Sequence, residues 1–208
     1  MLSTKHKDSG RIEMAKRVVV IASGETERRA LPHLVKHPEL TDIEVTEVRI
    51  PPRNRALKPE VVENLIRAAW FSNLHQPPDK FVVLVDADRH EPTKVLAPFE
   101  EVLPRKLDDI SAQVIFTYAQ QHLEAWYFGD AERLKEHLSR PLGAVDTSSP
   151  DEIDNPKLHL KHLLAGRVYT SRVSEEIARR LDSESISQRS PSFRRFVKAV
   201  LNGDARCM

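Results

Sequence analysis

The chain is poor in anything that would staple or anchor it. A single cysteine, Cys207, stands among 208 residues. One thiol excludes a disulfide framework and a cysteine-built zinc site, and it makes the cytoplasm the expected compartment. No apolar run approaches the roughly 18–20 residues needed to span a bilayer; the run over residues 18–22 is the size of a strand. The first 17 residues are charged and lack the apolar centre of a signal peptide. Internal repeats and low-complexity tracts are missing too. What remains is ordinary: 40% hydrophobic and 30% charged residues, in a chain long enough to bury a core without staples. A disordered tail, a collagen-like rod and a small disulfide scaffold are therefore excluded.

The net charge of +1 hides an asymmetry. Residues 157–206 carry eleven Lys/Arg against five Asp/Glu, a local +6, which leaves −5 for the rest. An acidic body with a basic end can set cation-holding groups beside phosphate-holding groups. The plainer reading is a set of solvated helix faces.

Hydrophobic patterning divides the chain into alternating strands and helices. Residues 17–22 (RVVVIA), 81–85 (FVVLV) and 113–118 (QVIFTY) are continuous β-branched or apolar runs, suited to strands buried on both faces. Residues 43–50 alternate apolar and polar, as a half-exposed strand does. Helical spacing predicts helices over 25–37 with Thr26 as cap, 59–74, 93–107, and 122–128 running on into 131–138. The polar stretch 139–155 reads as a linker or long loop. Three short helices close the chain, over 156–164, 174–181 and 190–201, with Asn155, Ser174 and Ser190 or Ser192 as caps. The organisation expected is a leader over 1–16, an α/β domain over 17–138, a linker over 139–156 and a helical C-terminal extension over 157–208 packed on the same domain. The β-α alternation predicts a mainly parallel sheet covered on both faces, with function at the carboxyl ends of its strands.

Three acidic clusters lie at those ends. Asp86 and Asp88, one residue apart at the tip of an apolar strand, suit Mg²⁺ or Mn²⁺, which take hard oxygen ligands; the alternative is a cap on the next element. Ser23-Gly24-Glu25-Thr26-Glu27 follows the first strand. Its glycine lets backbone N–H groups approach an anion, but it is neither a P-loop nor a dinucleotide fingerprint. Glu27 either reaches the metal or serves the helix dipole. Glu124 sits among Leu123, Ala125, Trp126, Tyr127 and Phe128, where a carboxylate is costly unless paired, bound or protonated. Zinc on His122, His159 and His162 lacks any supporting motif.

In order and spacing these pieces resemble a TOPRIM domain, the metal-binding fold shared by topoisomerases, primases and some nucleases. They are more similar still to small stand-alone TOPRIM-like proteins related to the nuclease half of overcoming-lysogenization-defect (OLD) proteins. The resemblance spans about residues 17–201 and is carried by Ser23-Gly24-Glu25-Thr26-Glu27, Asp86-Ala87-Asp88, Glu124-Ala125-Trp126 with Asp130, Asn155-Pro156-Lys157, and Pro191-Ser192-Phe193-Arg194-Arg195-Phe196. It implies an α/β TOPRIM-like sheet and a Mg²⁺-dependent (or Mn²⁺-dependent) nuclease acting on DNA or RNA, with an ATPase as partner. Asp86, Asp88, Glu27 and Glu124 would hold metal, and Lys157 would clamp a phosphate oxygen. The family usually carries a glutamate where this chain has Ser23, and a hydroxyl cannot act as base at neutral pH. Glu25 or Glu27 then substitutes as the catalytic acid/base, or the domain binds without cutting, or the substrate is a nucleotide. Ser23, Gly24, Arg89 and His90 are candidates for holding phosphate. Arg172, Arg194 and Arg195, with Arg179 and Arg180, are candidates for a nucleic-acid-facing surface. Phe193 and Phe196 are expected in the core.

Overall fold

A computed structural model describes residues 15–36, 43–52, 55–143 and 145–201. The expected leader therefore falls outside the described residues, apart from its last two, and so does His37 at the expected end of the first helix. Four strands, β1 (Lys16–Ile21), β2 (Ile43–Arg49), β3 (Lys80–Asp86) and β4 (Gln113–Ala119), form one sheet in the order β2-β1-β3-β4. Every pairing is parallel. This is the α/β, parallel-sheet arrangement that the β-α alternation predicts, with helices on both faces and a helical C-terminal part.

Alternation along the central strands splits the core in two. Val18, Val20, Val82 and Leu84 point to one face, where they join the apolar residues of α1 (Glu25–Leu34), α4 (Leu123–Tyr127), α6 (Pro156–Leu163), α7 (Ser171–Ala178) and α9 (Pro191–Leu201). Val19, Ile21, Phe81, Val83 and Val85 point to the other, against α2 (Pro59–Ser72) and α3 (Pro92–Lys106). β1 and β3 are buried on both sides because they are the inner strands, which explains their unbroken apolar runs. Burying one such aliphatic side chain contributes about 1.5–3 kcal/mol.

The C-terminal helices belong to the first of these cores. Trp126 of α4 stacks on Phe196 with centroids 5.4 Å apart and meets Phe193 edge-on at 5.0 Å. Both phenylalanines are fully buried, as expected. The stretch 139–156 is tied in as well. Its Asp151 accepts from Ser190 Oγ (2.6 Å), Ser192 N (2.7 Å) and Ser192 Oγ (2.9 Å) at the start of α9. Lys80, buried at the foot of β3, donates to the Val200 carbonyl (2.8 Å) at the other end of that helix, where a cation opposes the helix dipole.

Several local expectations are corrected. Gly24, not Thr26, occupies the N-cap of α1. Residues 122–138 are not one helix: a 3-10 turn over Phe128–Asp130 separates α4 from α5 (Ala131–Leu138). Asp130 makes the break, since its carboxylate accepts from Arg133 N (3.4 Å) and Asp182 N (2.8 Å). Thr170 caps α7, while Ser174 lies inside it, buried and bonded to Tyr127. An additional helix, α8 (Ser183–Arg189), stands before α9. Ser190 does cap α9, accepting from Phe193 N at 3.1 Å.

Candidate functional site

Chain order decides where the sheet switches direction. After β1 the chain lays β2 on one side of it, then crosses to lay β3 and β4 on the other. The helices after β1 and β3 consequently diverge to opposite faces, the switch point at which α/β sheets place their ligands. Ser23 and Asp86 stand there. Ser23 Oγ donates to Asp86 Oδ2 at 3.1 Å and bridges the switch point.

The turn after β3 is fastened to the turn after β4. Ala87 N donates to Ala119 O (2.8 Å), Asp88 N to Gln121 O (3.3 Å) and Arg89 N to Gln120 O (3.4 Å). Asp88 (φ 45°) and Arg89 (φ 67°) are both left-handed, a conformation that costs a non-glycine residue about 1 kcal/mol or more. The three backbone bonds hold them there. The result turns Asp88 toward His122, whose Nε2 lies 3.4 Å from Asp88 Oδ1 and whose Nδ1 lies 3.7 Å from Asp86 Oδ2. The Asp86 carboxylate raises the pKa of that imidazole.

Two deeper carboxylates complete the group. Glu124, 2% exposed in α4, accepts from Tyr169 Oη (2.9 Å), and Lys157 Nζ stands 3.5 Å from it. Glu27, 7% exposed, folds back over Gly24, where an added Cβ would meet its Oε2 at 3.3 Å. A side chain at position 24 would make that carboxylate shift by a few tenths of an ångström. Burial, reinforced by the negative charge of Asp86 and Glu124, pushes the Glu27 carboxyl up to about 7. Glu27 makes no ion pair and no hydrogen bond to another side chain among the described residues.

The structure thus brings Ser23, Gly24, Glu27, Asp86, Asp88, Glu124 and Lys157 to one edge of the sheet. The other candidates lie elsewhere or are engaged. Glu25 is held by Arg28 and Arg29 (2.7 and 2.9 Å), and the hydrogen bond from Arg28 keeps its pKa low. Arg89 pairs with Asp154 (2.5 Å), and His90 is exposed beside it. Arg172 meets Glu176 (3.6 Å) and Arg179 meets Glu175 (2.7 Å), while Arg180 is exposed at the end of the same helix. Arg194 is exposed on α9, and Arg195 lies over the Tyr118 ring at 4.6 Å. His159 and His162 line a cleft of about 430 Å³ with Arg140, away from His122 and the acid pair.

Sequence reasoning weighed His122 only as a zinc ligand with His159 and His162, and it passed over Tyr169. The meeting of His122 with Asp86 and Asp88 depends on β3 pairing with β4. Tyr169 gave no local signal at all.

Carboxylate oxygens are the donors that a divalent cation takes, and one of them, Glu27 Oε2, lies 3.3 Å from where a Cβ on Gly24 would stand. Among the described residues, no three His, Cys, Asp or Glu side chains already converge as a finished cage. No helix among them is long and apolar enough to cross a membrane.

No curated protein matches the chain. Among solved structures, it is similar to the C-terminal region of the Xanthomonas campestris pv. campestris OLD protein, at 18% identity and a TM-score of 0.46, over 89% of this chain and 94% of that one. It is also similar to the C-terminal region of the Burkholderia pseudomallei OLD protein, at 15% identity and a TM-score of 0.47, over 89% and 96%. The family model described as a domain of unknown function, DUF4276, matches residues 23–201. That match takes in the Ser23 loop, the Asp86–Asp88 turn, Glu124, Lys157 and the whole helical C-terminal part, so the chain belongs to the DUF4276 family.

Proposed function

We propose that the protein is a divalent-metal-dependent nuclease, hydrolysing phosphodiesters of nucleic acid at the carboxyl edge of its sheet. One observation carries the reading: the fold brings the Asp86–Asp88 turn, with Ser23 bonded to Asp86, to the same sheet edge as the buried carboxyls of Glu27 and Glu124, where burial, reinforced by the charges of Asp86 and Glu124, raises the Glu27 carboxyl to about 7. Negative charge gathered in this way is relieved by a cation. Asp86 and Asp88 would hold the ion, with Glu27 and Glu124 behind them. When bound, a Mg²⁺ or Mn²⁺ ion would activate water and stabilise charge on phosphorus. Lys157 Nζ, beside Glu124, is placed to meet a non-bridging phosphate oxygen. Tyr169 fixes Glu124 from the other side. Ser23 orients the Asp86 carboxylate, a role a hydroxyl can fill.

The test is calorimetric titration of Mg²⁺ and Mn²⁺ into the wild type and Asp86→Ala/Asp88→Ala, together with cleavage of plasmid DNA and of RNA. Metal affinity and cleavage are both expected to vanish in the double variant. Lys157→Ala is expected to bind metal but cleave at least about a hundredfold more slowly. Retained metal affinity in the double variant would overturn the site assignment.

A second reading is a domain that binds nucleic acid or an ATPase without cutting. It is favoured by Ser23, a hydroxyl donor to Asp86, standing where the family's usual glutamate would be. Metal binding with no cleavage of either polynucleotide would support it. Faster hydrolysis of a nucleotide than of any polynucleotide would instead mark a small-molecule phosphohydrolase.

A further inference from the structure

The acidic edge of the sheet leaves the basic end of the chain without a task. Between Glu184 and Asp204 the sequence holds Arg189, Arg194, Arg195 and Lys198 and no acid. Three of these cations sit on α9, and Arg189 stands just before it. Arg189, Arg194 and Lys198 are exposed, and Arg195 is half-buried. None of the four pairs with a carboxylate among the described residues. Nearby arginines are matched: Arg167 and Arg172 meet Glu176, and Arg179 meets Glu175. A surface that has only to stay dissolved mixes both signs. This one carries a single sign, which suits a polyanion.

The second observation is aromatic. β4 is the outer strand of the sheet among the described residues, and Tyr118 stands half-buried on it. Its side chain belongs to the face covered by α2 and α3, whereas α9 packs on the opposite face. Arg195 therefore reaches round the free edge of β4 to lay its guanidinium over the Tyr118 ring, 4.6 Å from the centroid. The register sets this pair close to the acidic turn, with Tyr118 opposite Val85 and Ala119 opposite Asp86. One residue of strand, about 3.3 Å, separates the position of the ring from that of the first carboxylate. A charged side chain at a sheet edge also blocks stray strand pairing. That role asks for no aromatic partner and no run of further cations.

We infer that Tyr118 and Arg195 form a stacking platform for an unpaired base, and that the cations of α9 hold the phosphates of the same strand. The substrate is then single-stranded nucleic acid, led across the free edge of β4 toward the Asp86–Asp88 turn. Aromatic rings and guanidinium planes take up bases that are free of a helix. A duplex keeps its bases stacked and offers chiefly phosphates and groove edges. The inference rests on the nuclease reading above and adds the form of the substrate.

The test uses the full chain with chelator present, so that binding is read without metal or cleavage. Fluorescence anisotropy follows a labelled oligonucleotide, as a single strand and as a duplex, against the wild type, Tyr118→Leu, Arg195→Lys and Arg194→Ala/Lys198→Ala. The wild type should hold the single strand about tenfold or more tightly than the duplex. Tyr118→Leu keeps an apolar side chain at the edge and should lose about tenfold for the single strand and little for the duplex. Arg195→Lys keeps the charge without the plane and should lose part of the preference at unchanged salt dependence. Arg194→Ala/Lys198→Ala, at exposed positions, should weaken both forms and lower the slope of log affinity against log salt by about 1–2. Equal binding of single strand and duplex by the wild type would overturn the inference, and this comparison needs no variant to fold. A Tyr118→Leu protein that is folded by circular dichroism and keeps the preference would overturn it too. So would polyglutamate that displaces the oligonucleotide at equal charge, which would mark a surface for an acidic protein. No binding of either form in chelator, with metal-dependent cleavage intact, would overturn the inference and leave the nuclease reading standing. A Tyr118-dependent preference for the single strand, with no cleavage in Mg²⁺ or Mn²⁺, would uphold the platform and remove the nuclease reading.

Discussion

Glu27→Gln should make the metal-free protein more stable, and by an amount that depends on pH. The folded carboxyl titrates at about 7 and its ordinary value is 4.5. Between those values the folded chain keeps a proton that the unfolded chain has released. Stability therefore falls as pH rises through the window from 4.5 to 7, and the loss is complete above it. By that difference, ionised Glu27 costs the fold about 3 kcal/mol at pH 8 and less than about 1 kcal/mol at pH 5. Glutamine keeps the shape and removes the charge. The variant should thus gain about 3 kcal/mol at pH 8, or about 6–12 °C in melting temperature for a chain of this size. The assay is thermal and urea unfolding of both proteins at pH 5 and pH 8, with chelator present. Divalent cation should then stabilise the wild type more than the variant, since only the wild type has the charge to neutralise. An equal gain at both pH values, or no gain at pH 8, would refute the claim that Glu27 is held among repelling carboxylates.

Two further outcomes test how the C-terminal part is joined to the sheet. Asp151→Ala removes the acceptor shared by Ser190 and Ser192 at the start of α9; it should cost about 1–3 kcal/mol by urea unfolding, while Asp151→Asn should recover part of that loss. Gly129→Ala places a Cβ 3.1 Å from the Ile186 backbone and 3.2 Å from its side chain, so overpacking should lower stability by about 1–3 kcal/mol, and Gly129→Ala/Ile186→Ala should recover some of it.

The sequence alone determined the strands, the class of sheet and the acidic residues at its edge. Runs such as residues 81–85 are apolar at every position, which only a doubly covered inner strand tolerates. Carboxylates directly after such a run must emerge at the strand end, so Asp86 and Asp88 were legible without coordinates, and Glu124 stood out as a lone acid among apolar neighbours. Helix α8 was not. Its segment offers one buried aliphatic residue, Ile186, and a helix that short does not stand alone in water. It forms because Asp182 accepts from Ser185 N and Oγ (3.0 and 2.8 Å) and because Ile186 packs on Gly129. The same long-range contact, with the Asp130 bond to Asp182, breaks what reads locally as one helix over 122–138.

The strand order was likewise a tertiary decision. Hydrophobic pattern states that a strand is buried, not which neighbour buries it. Setting β1 beside β3 brought Ser23 to Asp86, and setting β3 beside β4 carried His122 to the acid pair. Folding the helical part onto the sheet then delivered Lys157 and Tyr169 to Glu124. The acids announce themselves because a charge at the end of an apolar run is a local anomaly. Their partners do not, because the attraction that selects them acts through space, between residues that sequence leaves dozens of positions apart.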